Sequence, residues 1–160
     1  MTKLLIVCLG VILWLPAPAP APAPAPEEFH LAQQIGNTPR AFFRFETSGW
    51  KYTIRYDGFV EVYLPGGSHY MRKRVFFLKK TGHARLERVY YLEHEGDLLL
   101  RYDVIGQGSH FARIEQQSRT TRWSTAFSEI LGEAPVVNGD LVVVGDVEIN
   151  KTNGKILRQD

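Results

Sequence analysis

Cysteine is almost missing from this chain of 160 residues, which contains only Cys8. Because Cys8 lies inside an N-terminal apolar run, the remainder of the chain can form neither an internal disulfide nor a cysteine metal site. Histidines at ligand spacing are missing as well: the five histidines stand singly, so no metal site is predicted. An excess of one charge sign is also lacking, because 19 basic and 17 acidic residues leave a net charge of +2. That balance argues against a nucleic-acid-binding protein.

Long apolar runs occur only at the N-terminus. After Lys3, apolar residues continue from Leu4 to Leu15, in the order that is typical of a secretory signal. Such a run spans roughly 18 Å as a helix, which is short of the roughly 30 Å hydrocarbon core of a bilayer. Residues 1–15 are therefore predicted to be a signal peptide or an uncleaved signal anchor, and the protein is predicted to be periplasmic or secreted.

Proline is concentrated in residues 16–26, where it alternates with alanine. This alternation favours an extended polyproline II linker of roughly 34 Å. Each Ala-x-Ala site that a signal peptidase could accept there is followed by proline. We therefore expect slow or absent cleavage, which leaves the protein tethered to the membrane. Residues 27–160 are predicted to form a single domain.

Helical periodicity is scarce in that domain. Leu31 and Ile35 share one helical face, and Gly36-Asn37 is a stop signal. These residues predict one short helix over residues 27–34. No segment after Thr38 sustains a helical period.

From residue 42 onward the apolar period changes to two, which is typical of half-buried antiparallel strands. Trp50, Tyr52 and Ile54 alternate with polar residues, and Asp57-Gly58 predicts a two-residue hairpin before the next strand. Further strand-like runs cover 69–78, 86–94, 98–104, 110–116, 121–128, 140–144 and 147–150. The predicted fold class is all-β: an antiparallel meander of nine or ten short strands, arranged as an incomplete propeller-like structure, a sandwich or a barrel.

The chain contains a weak internal repeat with an offset of 35 residues. It pairs Glu115, Ser118, Arg119 and Trp123 with Asn150, Asn153, Gly154 and Arg158. A third copy contains Thr81-Gly82 and has Leu78 and Leu86 at its first and last positions.

These segments, roughly residues 96–158, resemble the blades of quinoprotein-like (PQQ-type) β-propellers. That family carries Ala-x-Asp-x-x-Thr-Gly-x-x-x-Trp, in which Asp and Thr shape a turn, Gly permits it, and Trp docks on the neighbouring blade. The resemblance implies turn-forming roles for Glu115, Ser118, Asn150, Asn153 and Gly154, and a docking role for Trp123. This chain departs from the pattern in having Glu or Asn for Asp, Ser or Asn for Thr, Arg119 for the first Gly and Arg158 for the second Trp. No residue matches the family's quinone or calcium ligands, so no cofactor is implied.

The length of the chain limits such an array. Four strands per blade and about 35 residues per repeat leave room for three blades, fewer than the four that close a ring. An open array must cap its sheet edges, associate with itself, or add strands to the sheet of another protein.

One segment is strongly basic. Between residues 72 and 88, seven cationic residues stand against Glu87 alone, which gives a local charge of +6. A functional interpretation is contact with an anionic polymer or lipid headgroups through Arg72, Lys73, Arg74, Lys79 and Lys80. The alternative is a solvated hairpin whose charges protect a sheet edge from aggregation.

No arrangement of residues predicts catalysis. Ser48-Gly49-Trp50-Lys51 and Lys80-Thr81-Gly82 match two short motifs of penicillin-binding enzymes. The first of these motifs must open a buried helix, whereas Lys51 lies in an alternating strand. The sequence therefore favours a non-enzymatic function without a cofactor.

We thus expect an exported, non-catalytic envelope module that interacts or assembles with a protein partner through sheet edges. The alternative is a secreted β-barrel or sandwich that binds a small ligand, a glycan or an anionic polymer, in which case some of the many aromatic side chains line the site.

Overall fold

The computed structural model describes residues 22–36, 42–63, 72–78 and 83–159, and for residues 72–75 it describes the backbone alone. These ranges contain fifteen strands. They are β1 (Glu27–Glu28), β2 (His30–Leu31), β3 (Gln33–Ile35), β4 (Phe42–Thr47), β5 (Trp50–Arg55), β6 (Phe59–Tyr63), β7 (Arg72–Phe77), β8 (Leu86–His94), β9 (Asp97–Val104), β10 (Gly108–Glu115), β11 (Thr121–Ala126), β12 (Val136–Asn138), β13 (Leu141–Val144), β14 (Val147–Asn150) and β15 (Ile156–Arg158). The described ranges hold no helix that is long and apolar enough to cross a membrane. The prediction of an all-β fold is confirmed.

The strands form three antiparallel sheets of five strands each. The first sheet has the order β3-β4-β5-β6-β7, the middle sheet β2-β8-β9-β10-β11, and the third sheet β1-β12-β13-β14-β15. In each sheet, four strands that follow one another in the sequence form a meander, and a short strand from the N-terminal segment is added at one edge. None of the sheets closes into a barrel, so the barrel alternative is wrong.

Residues 27–35, which we call the bridging segment, run along one edge of all three sheets. Glu27 pairs with Val137 of the third sheet, His30 with Tyr91 of the middle sheet, and Gln33 with Arg44 of the first sheet. The predicted helix over residues 27–34 is therefore wrong. In the extended conformation, hydrogen bonds to three sheet edges satisfy the backbone groups of this segment. A helix of one or two turns would have satisfied them by bonds within itself.

Two side chains of the bridging segment enter the protein interior. Phe29 is 6% exposed and packs in the core between the middle and third sheets. Ala32 is 4% exposed and packs in the core between the middle and first sheets. Side chains alternate between the two faces along an extended chain, so residues three positions apart lie on opposite faces. One segment therefore contributes to both cores.

The middle sheet is covered on both faces. Every residue of β9 is buried, and its alternate side chains face different cores: Leu98 and Leu100 pack with the first sheet, and Leu99 packs with the third. A strand that is buried on both faces has no side chains in solvent. This explains why Leu98, Leu99 and Leu100 form an unbroken apolar run, where a half-buried strand would alternate apolar and polar residues.

The face of β9 that meets the third sheet contains a buried ion pair. Arg101 Nε donates to Asp103 Oδ1 at 3.0 Å, and both side chains are fully buried. The guanidinium also donates to the carbonyl oxygens of Leu131 and Glu133, while Ser109 Oγ donates to Asp103 Oδ1 at 2.7 Å. These bonds hold the connection between β11 and β12 against the middle sheet.

Most predicted strands are present, with bounds that agree or differ by at most three residues. The two-residue hairpin at Asp57-Gly58 is wrong, because β5 ends at Arg55 and β6 begins at Phe59, which leaves a three-residue loop. Gly58 has φ of +85° and donates from its N–H to Arg55 O at 2.8 Å. A type I turn followed by a left-handed glycine is the usual three-residue alternative to the predicted loop. The sequence analysis also left out β12 and β15, which have three residues each.

Candidate functional site

Several hairpin turns lie together at one end of the three sheets, which we call the turn end. It comprises residues 47–50, 93–96, 115–120, 139–140 and 150–155, and side-chain bonds between these turns hold them together. The described residues other than glycine with positive φ are all there: Ser48 at 46°, Glu95 at 52° and Arg119 at 62°. Such backbone conformations cost of order 1–3 kcal/mol each and are concentrated at functional sites. The turn end is therefore the strongest candidate for a binding site.

A carboxylate of the middle sheet lies under the turn between β4 and β5. The hydroxyls of Ser48 and Thr47 both donate to Glu93, and they hold the pKa of that carboxyl below its ordinary value. Gln116 adds a further hydrogen bond to Glu93, and its Oε1 accepts from the Tyr52 hydroxyl at 3.2 Å. Glu93 is therefore ionised at neutral pH, and its charge is already met by donors of this chain.

Arg119 lies beside that group, in the turn between β10 and β11. It is 8% exposed, and its guanidinium carbon is 4.3 Å from the ring centroid of Trp50 and 5.6 Å from that of Tyr52. Among the described residues, no carboxylate or carbonyl oxygen accepts a hydrogen bond from its three guanidinium nitrogens. Burial raises the pKa of the Tyr52 phenol, whereas the charge of Arg119 and a hydrogen bond with its side chain lower it.

A second charged group joins the middle and third sheets. His94 Nδ1 is 3.0 Å from Glu27 Oε2, and its Nε2 is 2.8 Å from Lys151 Nζ. Because an ammonium group only donates, Nε2 accepts and the proton is assigned to Nδ1, which donates to Glu27. Lys151 Nζ also donates to Glu95 at 3.2 Å and lowers the pKa of Glu95. Arg113 donates to Asp97 Oδ2 at 2.6 Å, so this group is internally paired and holds the bridging segment to two sheets.

The repeat positions lie in two turns with the same backbone hydrogen bonds. Arg119 N donates to Glu115 O at 2.8 Å in the turn between β10 and β11, and Gly154 N donates to Asn150 O at 2.8 Å in the turn between β14 and β15. Arg119 and Gly154 both have left-handed φ, of 62° and 72°. The side chains of Ser118 and Asn150 bond within their own turns. Kinship with quinoprotein-like blades stays a prediction, because unrelated antiparallel hairpins also use such turns.

Trp123 packs across the gap between the middle and third sheets. Its Nε1 donates to Lys151 O at 2.9 Å, and its ring lies against Gly154. A Cβ at Gly154 would stand 2.6 Å from Trp123 Cε3, so glycine is needed there for space as well as for φ. Arg158, the counterpart of Trp123 in the second copy, is exposed in β15.

The Trp123 contact predicts different effects at two glycines with similar φ. Gly154→Ala is expected to lower the free energy of unfolding by about 2–4 kcal/mol, because the new methyl group adds overpacking against the indole to the strain of a left-handed alanine. Gly96→Ala is expected to cost only about 1 kcal/mol, because a Cβ there has nothing within 4 Å. Urea denaturation measures both variants, and equal losses would show that the indole does not limit residue 154.

Three concave surfaces lie away from the turn end, and one of them, of about 460 Å³, lies beside the bridging segment, with Ala32, Phe43 and Arg88 in its lining. The other two lie beside the first and middle sheets. One, of about 460 Å³, is on the outer face of the first sheet and is lined by Gln33, Arg44, Glu46, Lys51, Thr53 and Tyr63, with Phe45 and Tyr52 below them. The other, of about 200 Å³, lies between β7 and the middle sheet. Phe76, Phe77, Leu78, Tyr102, Ala112, Ile114, Thr121 and Ser124 line it, and Phe77 is 68% exposed.

Several predicted site residues have side chains outside the described part of the structure. Arg72, Lys73 and Arg74 belong to the backbone of β7, but their side chains lie outside the described residues, as do Lys79, Lys80 and the Thr81-Gly82 pair. Leu78 and Leu86 lie on either side of the connection from the first to the middle sheet. Contact with an anionic surface stays a prediction.

The residues of the rejected Ser48–Lys51 motif have separate partners. Ser48 donates to Glu93, whereas Lys51 is 4.0 Å from Glu46 on the outer face of the first sheet. Across the described ranges, His, Asp and Glu side chains form no group of three that could hold a metal ion.

Sequence reasoning missed the group formed by Trp50, Tyr52, Glu93, Gln116 and Arg119. These residues come from β5, β8 and the turn between β10 and β11, and no spacing in the sequence connects them. One signal was available, because Arg119 occupies the position at which the other repeat copy has Gly154. A large cationic residue at a position with left-handed φ indicates that its side chain has a role that outweighs the backbone strain.

Comparison with known proteins found no family model that matches this chain and no curated protein that is similar to it. The interpretation of its function therefore depends on its sequence and its structure.

Proposed function

We propose that this protein is an exported, non-catalytic interaction and assembly module that adds a strand of a protein partner to the outer edge of its middle sheet. One observation carries the proposal: the bridging segment covers one edge of each sheet, while the opposite edges, β7, β11 and β15, have no further strand beside them in the described part of the chain. Unpaired edges of this kind bind extended peptides by strand addition.

β11 suits an added strand better than β15 does. It has six residues against three, and it contains neither proline nor glycine. Phe127 N donates to Ser109 O at 2.8 Å, and the alternation of an antiparallel ladder then directs the N–H groups of Ser124 and Ala126 away from β10. These groups are available to a partner strand.

The groove beside β11 supports the same surface. Its floor is apolar, with Tyr102, Ala112 and Ile114 all buried, and Ser124 of β11 lies on its wall. In strand addition, main-chain bonds provide affinity and side-chain pockets provide specificity. A partner strand that pairs with β11 would place alternate side chains towards this groove.

The N-terminal region indicates where in the cell the proposed module would act. The predicted signal or anchor lies outside the described residues, and the Ala-Pro linker reaches the domain at Glu27, which pairs with the third sheet near the turn end. A linker attached to a membrane would therefore hold the turn end towards that membrane and leave β11 accessible from the side. The resemblance to propeller blades, which stays a prediction, agrees with this interpretation, since an open array of blades leaves sheet edges unpaired.

A charge placed in the groove tests the proposal. Ser124→Lys in the full-length protein is expected to reduce recovery of a crosslinked partner from the native envelope by at least tenfold, because a buried unpaired ammonium group opposes strand addition. Thr152→Lys is the control, since it adds the same charge at an exposed position of the turn end. Mass spectrometry quantifies the partner and identifies the N-terminal peptide. Equal recovery with both variants would contradict the use of β11.

A second function is supported by the concave outer face of the first sheet. Its volume of about 460 Å³ lies in the range of small-ligand sites, and its polar lining with Tyr63 suits a glycan or an anionic polymer. Thermal stabilisation by a ligand separates the two functions, because a saturable rise in Tm requires preferential binding to the folded protein and no protein partner.

A further inference from the structure

The Arg119 guanidinium is a buried cation at the turn end for which the described residues supply no carboxylate or carbonyl acceptor, and its polar neighbour is the Tyr52 phenol. A buried cation without an anionic partner is strongly unfavourable in a protein interior, even with aromatic rings and a phenol beside it. The turn itself does not require it, because Gly154 forms the same turn with the same backbone bond. The arginine side chain therefore needs another explanation.

We propose that Arg119 anchors a binding site for a carboxylate group at the turn end, between the turn that contains Ser48 and the turn that contains Arg119. Trp50 and Tyr52 form one wall of this site, and Gln116, which is 5% exposed, lies beside it.

Three carboxylates at or beside the turn end, those of Glu93, Asp97 and Glu115, already have other partners. Glu93 accepts hydrogen bonds from Thr47, Ser48 and Gln116. Asp97 is 2.8 Å from Arg122 Nε as well as 2.6 Å from Arg113, and Glu115 is 2.8 Å from Arg122. The anion that completes Arg119 must therefore come from outside this group.

The geometry around Arg119 selects a planar anion. An aromatic ring that lies over a guanidinium occupies its face and leaves the N–H edge for hydrogen bonding. That edge matches the two oxygens of a carboxylate in a bidentate fork. Phosphate binds a guanidinium in the same way but carries two further oxygens, so a carboxylate requires less displacement of the turns around Arg119.

Access to the guanidinium requires only small movements. Ser118 and Thr120, on either side of Arg119 in the sequence, are exposed, and so is Ser48 across the cleft. A carboxylate therefore reaches Arg119 by displacing turn side chains, without opening either core. Its source is a free carboxylic acid or an acidic side chain of a peptide, and the experiment distinguishes these two sources.

The test titrates the full chain with acetate, with an aspartate-containing peptide and with phosphate, at constant ionic strength maintained with sodium chloride. Tryptophan fluorescence reports binding, because the Trp50 ring lies under the guanidinium. Trp50→Phe tests the origin of the signal, because a fluorescence change that comes from Trp50 disappears in this variant. Arg119→Gly removes the anchor and is expected to fold, since glycine occupies the matching turn. Arg55→Ala is the control, because Arg55 is an exposed arginine that also lies over an aromatic ring, that of Phe59.

We expect a saturable change in fluorescence with a carboxylate, with binding that is at least tenfold weaker in Arg119→Gly and unchanged in Arg55→Ala. Saturation by acetate identifies a free carboxylic acid as a sufficient ligand, and saturation by the peptide alone identifies an acidic segment. A response that Arg119→Gly retains, or that no carboxylate produces, would overturn the proposal, and tighter binding of phosphate would overturn the assignment to carboxylates. Ser124→Lys is expected to leave this binding intact, so failure here and failure of the β11 interface are distinguishable.

Discussion

Replacing Arg101 by methionine is expected to lower the free energy of unfolding by about 3–5 kcal/mol, because it leaves the fully buried Asp103 carboxylate without its cation. Methionine roughly preserves the volume of the side chain, so the loss comes from the charge and from the carbonyls of Leu131 and Glu133, which lose their donor. The connection between β11 and β12 is attached to the middle sheet through these bonds. We therefore expect hydrogen exchange to increase in residues 127–135 before it increases in β9.

A double variant distinguishes this cause from poor packing. Arg101→Met with Asp103→Leu is expected to lose about 1–3 kcal/mol less than the sum of the two single variants, because neither charge is then buried alone. Urea denaturation at neutral pH measures all three proteins. Additive losses would show that the two side chains act independently and that the ion pair does not determine the stability of this region.

Replacing Phe29 by alanine is expected to cost about 3–5 kcal/mol, although Phe29 is the single residue between two short strands, β1 and β2. Its ring is 6% exposed in the core between the middle and third sheets, and the bridging segment pairs with both of them. Loss of this anchor is also expected to expose residues 27–35 to proteolysis, because β1 and β2 contribute only two paired residues each.

Leu31→Ala is the matched control, because Leu31 lies in the same segment but is 61% exposed. We expect this variant to change stability by less than about 0.5 kcal/mol, as surface substitutions usually do. Chemical denaturation and limited proteolysis of both variants provide the comparison. Similar losses for the two would indicate that the segment acts through its backbone pairing, and that Phe29 has no special part in it.

The strands from β4 onward could be predicted because the pattern that identifies them is local. Trp50, Tyr52 and Ile54 alternate with polar residues, and the first sheet buries one of its faces and leaves the other exposed. Glycine and aspartate at turns added further local signals, although Asp57-Gly58 led to a loop that was one residue too short. These features depend on neighbours within a few residues, which the sequence shows directly.

The bridging segment could not be predicted in the same way. Its residues pair with positions about 10, 60 and 110 residues away, so no short window contains the partners. Leu31 and Ile35 have a spacing that fits one face of a helix, and this produced the incorrect prediction. Three sheet edges that each offered unpaired backbone groups favoured an extended chain over a short helix, which is marginal in isolation.

The candidate binding site illustrates the same division. The sequence marked Arg119 as a departure from its repeat position, but Trp50, Tyr52, Glu93 and Gln116 became its neighbours only when two sheets packed together. By itself, the sequence determined the all-β class, most strands and many of the turns, because alternation and turn chemistry act between near neighbours. Only the tertiary structure decided which sheet edges the N-terminal segment covers, which charges are paired in the interior and which buried cation has no anionic partner. These features depend on contacts between distant parts of the chain.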